Sequence, residues 1–389
     1  MSVRIENFVD VKITRRAVQE SDGAYDTAVY VVPSTASQDN AFYFINGKNG
    51  TGDGTKNNPK TIDAVSGDNN LKYFGIEFFA NGGKKLHVVN SLSFDSTNDN
   101  CWNFKDANNT TLTHLPVEEI LIFDASTSAQ TNASTNANTV SGIEKKIFVN
   151  TTNSTSLSSY LPYTIAVYKN VEVSTKVAGE KPNVSAAPFL AYYTKIIKNS
   201  SVDTSDLAFT KTSFVDVVEN STTNKVVITE PTDANAKAMI KNNINFIATI
   251  AGVPMIIGGS DETGENDITN LFMQIVLQQT LTNALMKLLS SKIKLNTAGI
   301  TSVKNAVGVE LDKYVNYGYI STDKLWTEDD LYLDGELIAA KGSPLARGYV
   351  VHVSPITQEN IKDHQIPTIY VLYGDSVGVR KIVVQGEVF

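Results

Sequence analysis

The 389-residue chain contains one cysteine and no long apolar run. Its single cysteine, Cys101, excludes an internal disulfide framework and is typical of a protein that folds in a reducing cytoplasm. The simplest role for this side chain is that of a small buried apolar residue. No stretch of about 18 consecutive apolar residues is present to span a bilayer. The first residues also lack the basic and then apolar pattern of a secretory signal, so we do not expect secretion by that route.

Positive charge is scarce as well. The 33 Lys and Arg residues are outnumbered by 41 Asp and Glu residues, and the formal net charge is −8. This balance argues against non-specific binding to nucleic acid or to an anionic membrane, because both need a basic surface. Apolar residues make up 42% of the chain, which is ordinary for a folded protein, and the length suffices for two or three domains.

Motifs for catalysis and metal binding are missing from the sequence. None of the four histidines has a metal-binding spacing: His87, His114, His352 and His364. His87 and His352 lie inside apolar strand patterns, where a hydrogen-bonded structural histidine is the commoner role. No nucleophile elbow occurs, and Cys101 has no neighbouring histidine. The residues therefore predict no enzyme, no cofactor and no metal.

Two glycine-containing segments are candidate ligand sites. Residues 47–54 could cradle a phosphate through backbone N–H groups. However, Gly47 and Lys48 are followed by Asn49 instead of Ser or Thr, and no helix pattern opens there. A surface loop rich in turns is the better interpretation. The acidic segment 258–267 misses the residue offsets of a calcium-binding EF-hand.

Hydrophobic periodicity predicts a mixed α/β chain without an internal repeat. We predict strands at 28–34, 73–90, 117–126, 145–150, 348–354 and 367–389, and alternating strand and helix over 163–229. A helix should begin at Thr232 and Asp233 and be followed by a strand. Two long helices are predicted at 267–292 and 300–317 from their apolar stripes, the second ending at Gly318. The Ser/Thr/Asn tracts within 125–160 should be exposed loops.

Both ends of the sequence have the period-two pattern of a strand. The apolar residues that share one face of each predicted strand are Val3, Ile5, Val9, Val11 and Ile13 at one end, and Ile382, Val384 and Val388 at the other. Such strands usually pair within their own domain. The alternative is β-augmentation, in which an unpaired strand adds to the sheet edge of a neighbouring subunit. Donation of this kind between copies is heterologous and builds rings or helical filaments.

Several segments resemble, in chain order, the contractile tail sheath proteins of myophages and related injection machines. They are "IEFFANGGKKLHVVN" (76–90), "EEILIFDAS" (118–126), "KKIFVN" (145–150), "NFIATIAGVPMIIGG" (245–259), "NTAGITSVKNAVGVELDKYVNYGYI" (296–320) and "ARGYVVHVSPI" (346–356). The resemblance implies a non-catalytic virion subunit that forms stacked hexameric rings around a tail tube. Contraction of these rings drives the tube through the target cell envelope.

The resemblance also implies an organisation and a set of partners. A terminal arm (1–16) and a terminal strand (379–389) would be donated to neighbouring subunits. Residues 17–34 with 225–378 would form an inner α/β core, and 35–224 an inserted outer domain. The partners would be further copies of the chain, the tail tube, and the baseplate and tail terminator proteins, in a virion assembled in the host cytoplasm.

A local excess of positive charge marks the predicted helical region. Between Ile268 and Val309 there is no acidic residue, whereas four lysines occur there: Lys287, Lys292, Lys294 and Lys304. Lysines near the C-terminal end of a helix also interact favourably with the helix dipole. A solvated helix end is therefore an equally good explanation of these lysines. Under the sheath resemblance, we expect these lysines to face acidic groups on the tail tube. Two other classes stay open: a tail tube or capsid-associated structural protein, and a surface carbohydrate-binding protein.

Overall fold

A computed structural model gives the fold of most of the chain. It describes residues 25–32, 43–46, 51–56, 58–65, 68–97, 100–105, 110–112, 114–126, 128–140, 144–174, 181–196, 207–219, 222–264 and 266–376. The predicted donated strands, with all eight of their apolar positions, lie outside these residues.

Helices and groups of consecutive strands follow one another along the described chain. The strands are β1 Thr27–Val31, β2 Tyr43–Ile45, β3 Thr51–Thr55, β4 Asn58–Thr61, β5 Lys85–Val89, β6 Ser91–Asp95, β7 Cys101–Lys105, β8 Thr111–Leu112, β9 Leu121–Asp124, β10 Ile147–Thr152, β11 Thr164–Tyr168, β12 Val171–Ser174, β13 Val217–Glu219, β14 Thr222–Ile228, β15 Ile244–Ile250, β16 Val253–Ile257, β17 Leu331–Leu333, β18 Glu336–Ala339, β19 Tyr349–Val353 and β20 Ile369–Tyr373. The helices are α1 Asn69–Ala80, α2 Ala129–Asn138, α3 Ala187–Ile196, α4 Asp233–Lys241, α5 Ile268–Ser290, α6 Thr297–Asn316 and α7 Gln358–Asp363. The expected mixed α/β class is confirmed.

A ten-stranded sheet is the centre of the molecule. Its order is β16-β15-β11-β10-β9-β1-β5-β2-β4-β3. Six neighbouring strands, from β15 to β5, run parallel. Their continuous Val- and Ile-rich sequences follow from burial on both faces, and β1 is buried at all five positions. β16 returns antiparallel to β15 through Ala251 and Gly252, both with left-handed backbone angles, as a tight hairpin requires.

This sheet runs across both predicted domain boundaries. β5, β9, β10 and β11 belong to the predicted outer domain, 35–224, yet they pair side by side with β1 and β15 of the predicted core. The two parts of the chain therefore share one sheet and one hydrogen-bonded ladder. The placement of 35–224 outside the core in an assembled particle stays a prediction.

The predicted strand at 73–90 is wrong in its first half. Residues 69–80 form helix α1, which begins at Asp68, where the side chain accepts a hydrogen bond from the Leu71 backbone N–H. The second half, β5, is the predicted strand. A short apolar run cannot distinguish a buried strand from a buried helix by period alone, and α1 is buried nearly all round. The Asp68 cap at its start and the left-handed Gly82 after its end are the local signals that indicate a helix here.

The Ser/Thr/Asn region 125–160 is only partly the exposed loop that its composition predicts. Helix α2 lies within it, and two of its asparagines are buried. The Asn136 side chain accepts from the Lys146 backbone N–H at 2.9 Å and donates to the Lys146 carbonyl at 2.8 Å. Asn132 donates to the Asp124 carboxylate at 2.9 Å. A side-chain amide that replaces a backbone partner can be buried at low cost, which composition alone does not reveal.

Residues 208–215 form a strap that joins the sheet edge to α1. On one side the strap pairs with β16. On the other side, Asn81 exchanges two hydrogen bonds with the Ser213 backbone, and the Glu77 carboxylate accepts from the Val215 N–H. Glu77 is fully buried, and its burial raises the pKa of the carboxyl to about 8. Its acid form is therefore favoured at neutral pH.

The two long predicted helices are confirmed as α5 and α6. Asp267 caps α5 through the Thr269 N–H, and Asn296 caps α6 through the Gly299 N–H. The second helix begins three residues before its predicted start because Asn296 supplies this cap. Gly318, with a left-handed backbone, follows the end of α6 as predicted. No helix among the described residues is long and apolar enough to cross a bilayer.

Candidate assembly surfaces

The last two described strands, β19 and β20, form a small sheet of their own. Their antiparallel register runs from Tyr349 opposite Tyr373 to Val353 opposite Ile369. Among the described residues, neither strand has a second strand partner. Along β19 and β20 themselves, the outer edge of each strand therefore carries backbone N–H and C=O groups that no described strand pairs with. Just beyond β20, the Gly374 carbonyl and the Ser376 N–H already bond to Ser321 and Tyr319.

The two faces of the β19–β20 sheet have different neighbours. On one face lies α6, where the Tyr349 hydroxyl lies 3.2 Å from the Gly308 carbonyl and 2.7 Å from an Asp312 carboxylate oxygen. On the other face, His352 Nε2 lies 2.8 Å from Asp334 Oδ2. This second contact places residues 322–341 against the sheet. We call residues 322–341 the acidic hairpin, because they contain six acidic and two basic residues.

Sequence reasoning missed the acidic hairpin, although its signal is present. β17 and β18 pair antiparallel around Asp334 and Gly335. Both turn residues have left-handed backbone angles, φ 52° and 81°. An Asp-Gly pair between two alternating apolar segments is a strong hairpin signal, because a type I′ turn needs positive φ at both positions.

The acidic hairpin exposes an apolar pair. Tyr332 lies directly opposite Leu337 across the two strands. Their exposed fractions are 59% and 48%. Leu331 and Leu333, the neighbours of Tyr332 along β17, lie on the opposite face of the hairpin and are half-buried. Large neighbouring apolar side chains in solvent indicate a contact surface more than isolated ones do.

The four predicted tube-facing lysines lie close together in the chain around the turn between α5 and α6. We call residues 287–304 the basic tip. All four lysines are exposed, and none forms an ion pair with a described residue: Lys287, Lys292, Lys294 and Lys304. Lys287 lies in the last turn of α5, where its charge favours the helix dipole.

A small apolar cavity opens at the basic tip. Its volume is about 150 Å³. The apolar lining comes from the end of α5, the start of α6 and the segment before β20: Leu289, Ile293, Leu295, Ile300 and Ile366. Lys294 and His364, both exposed, complete its rim. Gly299 borders it where α6 passes the Lys294 carbonyl so closely that a Cβ atom would clash.

The predicted structural histidines are hydrogen-bonded as expected. His87 Nδ1 lies 2.7 Å from Glu119 Oε2, and the ring stacks on Tyr43 with centroids 4.0 Å apart. His352 is held by Asp334, as above. Cys101 is buried, as predicted. In the described part of the chain, no group of three or more His, Cys, Asp or Glu side chains is placed to hold a metal ion.

A polar cleft of about 690 Å³ lies where β9, β10 and β11 end. Two carboxylates line it, and both are engaged in the fold. Asp124 accepts from the Ser126 N–H and from Asn132, and Glu262 accepts from the Leu161 N–H at 3.2 Å. Burial raises the pKa of Glu262 to about 7. Hydroxyl and amide side chains make up much of the remaining lining, and one of them, the Ser126 hydroxyl, donates a hydrogen bond to the Asp124 carboxylate.

Comparison with solved structures identifies the fold, although no protein-family model and no curated protein sequence matches the chain. A chain of the anti-feeding prophage baseplate superposes with a TM-score of 0.59 at 11% identity, covering 97% of this chain and 99% of that one. The contracted sheath complex of the extracellular contractile injection system PVC gives a TM-score of 0.59 at 13% identity, covering 96% and 93%. A sheath tail protein from Desulfitobacterium hafniense gives 0.46 at 10% identity, covering 81% and 92%. The chain has the multi-domain mixed α/β fold of contractile tail sheath proteins, as the sequence resemblance implies.

Proposed function

We propose that this chain is a structural, non-catalytic subunit of a contractile sheath. It polymerises as stacked hexameric rings around a tail tube and contracts to drive the tube through a target cell envelope. The observation that carries the proposal is the β19–β20 sheet, which pairs with no third strand among the described residues, in a chain that has the sheath fold. Open edges of this kind accept strands from other chains.

The donated strands in this proposal are residues 1–16 and 379–389. Each adds to an edge of β19–β20 in a different neighbour, with backbone hydrogen bonds for affinity and alternate side chains for register. Because donor and acceptor surfaces differ, the contact is heterologous and propagates into a ring or a helix. The exchanged strands keep the subunits joined while they rotate during contraction.

The proposal also assigns an inside and an outside. Residues 17–34 and 225–378 lie nearest the tube, and most of 35–224 lies outward. The lysines of the basic tip meet acidic groups on the tube. Baseplate and tail terminator proteins bind the two ends of the polymer in the virion or phage-derived particle.

Negative-stain microscopy of the purified full-length protein tests this function directly. Striated or hollow tubes, wide enough to enclose a second tube, are the expected result. Narrow tubes without room for an inner tube would favour the tail tube class. Monodisperse trimers would contradict the sheath and favour a carbohydrate-binding surface protein.

A further inference from the structure

We propose a second contact between copies of this chain, separate from strand exchange. In it, the Tyr332–Leu337 pair on the acidic hairpin of one copy docks in the apolar cavity at the basic tip of another. The contact is made by neither the terminal strands nor a tail tube, and it adds to the strand exchange on which polymerisation also depends. It therefore goes beyond the proposed function and can be tested without it.

The hairpin supplies the protruding part of the contact. Tyr332 and Leu337 are cross-strand neighbours and both are exposed, so together they form one apolar knob. The knob sits on a hairpin that is fixed by the His352–Asp334 contact and by an ion pair between Lys341 and Asp329. A knob that is ordered before binding loses little conformational entropy when it docks.

The cavity supplies the receiving part. Its volume of about 150 Å³ is that of an apolar cavity able to hold one benzene-sized ring. The Leu and Ile side chains of its lining match an aromatic ring and offer no polar partner to water. A tyrosine suits this site because its ring fills the apolar space while its hydroxyl stays at the wet rim.

Charge selects the same pairing. The acidic hairpin has a net charge of −4, and residues 268–309, which include the basic tip, have a net charge of +4. Glu328 on the hairpin and Lys294 at the cavity rim are both exposed, and neither is in an ion pair with a described residue. An apolar centre with complementary charges around it is the usual anatomy of a specific protein interface.

The contact joins two different copies. Within one chain, Asp334 of the acidic hairpin contacts the face of the β19–β20 sheet opposite to the face on which α6 lies. The cavity lies at the α6 side of the sheet, at the start of that helix. Knob and cavity are different patches, so each copy can bind one neighbour through each, and the contact extends a ring or a filament.

Engineered disulfide formation tests the contact in the full-length chain. A Tyr332→Cys, Ile300→Cys double variant places one thiol on the knob and one in the cavity. The native Cys101 is buried and stays out of the reaction. Under mild oxidation we expect a ladder of dimers, trimers and longer species on a non-reducing gel. Each single variant should give dimers at most, because one thiol per chain cannot extend a ladder.

The matched control is Ile240→Cys with Ile300→Cys, since Ile240 is as exposed on α4 as Tyr332 is on the hairpin. A ladder from this control, an intramolecular disulfide in the test variant, or the absence of a ladder would each overturn the proposal. If the test variant forms tubes but no cross-links, the proposed sheath function is supported and the proposed hairpin–cavity contact is wrong.

Exchanging the charges of Lys294 and Glu328 distinguishes a contact of Lys294 with a second copy from a contact of Lys294 with the tube. Lys294→Glu should raise the concentration needed for polymerisation without a tube by about tenfold, the change expected from about 1.4 kcal/mol. Adding Glu328→Lys should restore most of it. Should Lys294→Glu affect only assembly on tubes, with no rescue by Glu328→Lys, the tube and not a second copy is its partner, and the proposal is wrong.

Discussion

His352 Nε2 lies 2.8 Å from Asp334 Oδ2, and this contact fastens the acidic hairpin to the β19–β20 sheet. The hydrogen bond from His352 holds the pKa of the Asp334 carboxyl below its usual value, with a further hydrogen bond from Ser354. For a depressed carboxyl pKa, the stabilisation is present above the unfolded value. It is lost as the pH falls through the folded value. The carboxylate therefore holds the hairpin in place at neutral pH.

We predict that Asp334→Asn loosens the acidic hairpin at pH 7 while the turn itself is kept. Asparagine tolerates the left-handed backbone of this position as well as aspartate does, so the variant removes the charge and not the turn. The measurement is hydrogen exchange over residues 322–341, which should be faster in the variant. Glu336→Gln is the control, because it also removes a carboxylate near His352. That carboxylate is exposed and lies 3.5 Å from His352 Nδ1, so its loss should change the exchange less than Asp334→Asn does. Equal exchange in wild type and Asp334→Asn would contradict the role of the contact.

We predict that Glu77 makes the fold less stable as the pH rises. Its folded pKa of about 8 lies above the ordinary glutamate value of 4.5, so the folded state binds the extra proton. The free energy of unfolding then falls between about pH 4.5 and pH 8, by a few kcal/mol in total for a shift of this size. Glu77→Gln keeps an acceptor for the Val215 N–H and should flatten this part of the profile. Melting curves from pH 5 to 8 give the test.

The control for Glu77 is Glu262→Gln, because Glu262 also has a raised pKa, about 7. Its replacement should flatten the profile over a narrower range that ends about one pH unit lower. Identical profiles for wild type and Glu77→Gln would show that the Glu77 proton does not contribute.

We predict that Asn136→Ala destabilises the fold by about 1–3 kcal/mol. The substitution leaves the N–H and C=O of Lys146 buried without their side-chain partner. Denaturant unfolding measures the loss. Asn138→Ala lies two residues further along α2 on its exposed side and should cost a few tenths of a kcal/mol at most. If the two variants unfold alike, the buried amide pairing is not what holds α2.

We predict that deletion of residues 379–389 abolishes polymerisation and leaves the melting temperature nearly unchanged. A donated strand contributes intermolecular ladder bonds, worth roughly 0.5–1.5 kcal/mol each, and little to its own subunit. Val383→Pro or Val384→Pro should act like the deletion, because one of these N–H groups faces the ladder. A melting curve and a sedimentation profile on the same sample decide the matter. A collapse of the melting temperature would mean that the strand pairs within its own subunit.

We predict that Lys287→Glu with Lys292→Glu weakens assembly on tail tubes, and that the wild-type contact weakens as salt rises. Exposed charges interact over about 10 Å at 0.1 M salt, so the effect should be largest below that concentration. Co-sedimentation with purified tubes at several salt concentrations is the measurement. Lys181→Glu with Lys225→Glu is a control outside the basic tip. Unchanged assembly of the Lys287 and Lys292 variant at low salt would remove the proposed tube contact.

The long helices and core strands could be predicted because local signals and burial agree there. Asp267 and Asn296 cap α5 and α6, and regular apolar stripes follow. Helix α1 could not be distinguished from a strand, because Tyr73, Phe74 and Phe78 bury several sides of it and erase the period. The buried asparagines of α2 depend on which backbone segment lies beside them, and composition carries no such information.

The candidate assembly surfaces also include features that the sequence predicts and features that it does not. The lysine excess was visible in the sequence, and the Asp334–Gly335 turn could have been read from it. The apolar cavity could not, because Leu289, Ile300 and Ile366 come from three separate segments. The exposure of Tyr332 also depends on the tertiary position of the hairpin. A cross-strand apolar pair looks the same in sequence whether it faces a core or the solvent.

The sheet topology has a consequence for the order of events during synthesis. The last strand of the ten-stranded sheet ends at Ile257, whereas β19 and β20 lie more than 90 residues further along the chain. At translation rates of about 5–20 residues per second, the ribosome releases these strands roughly 5–20 s after the sheet is complete. A nascent chain therefore has time to form its parallel sheet before β19 and β20 are released. Under the proposed strand donation, the sheet then folds before another nascent chain on the same polysome can pair with the β19–β20 edge.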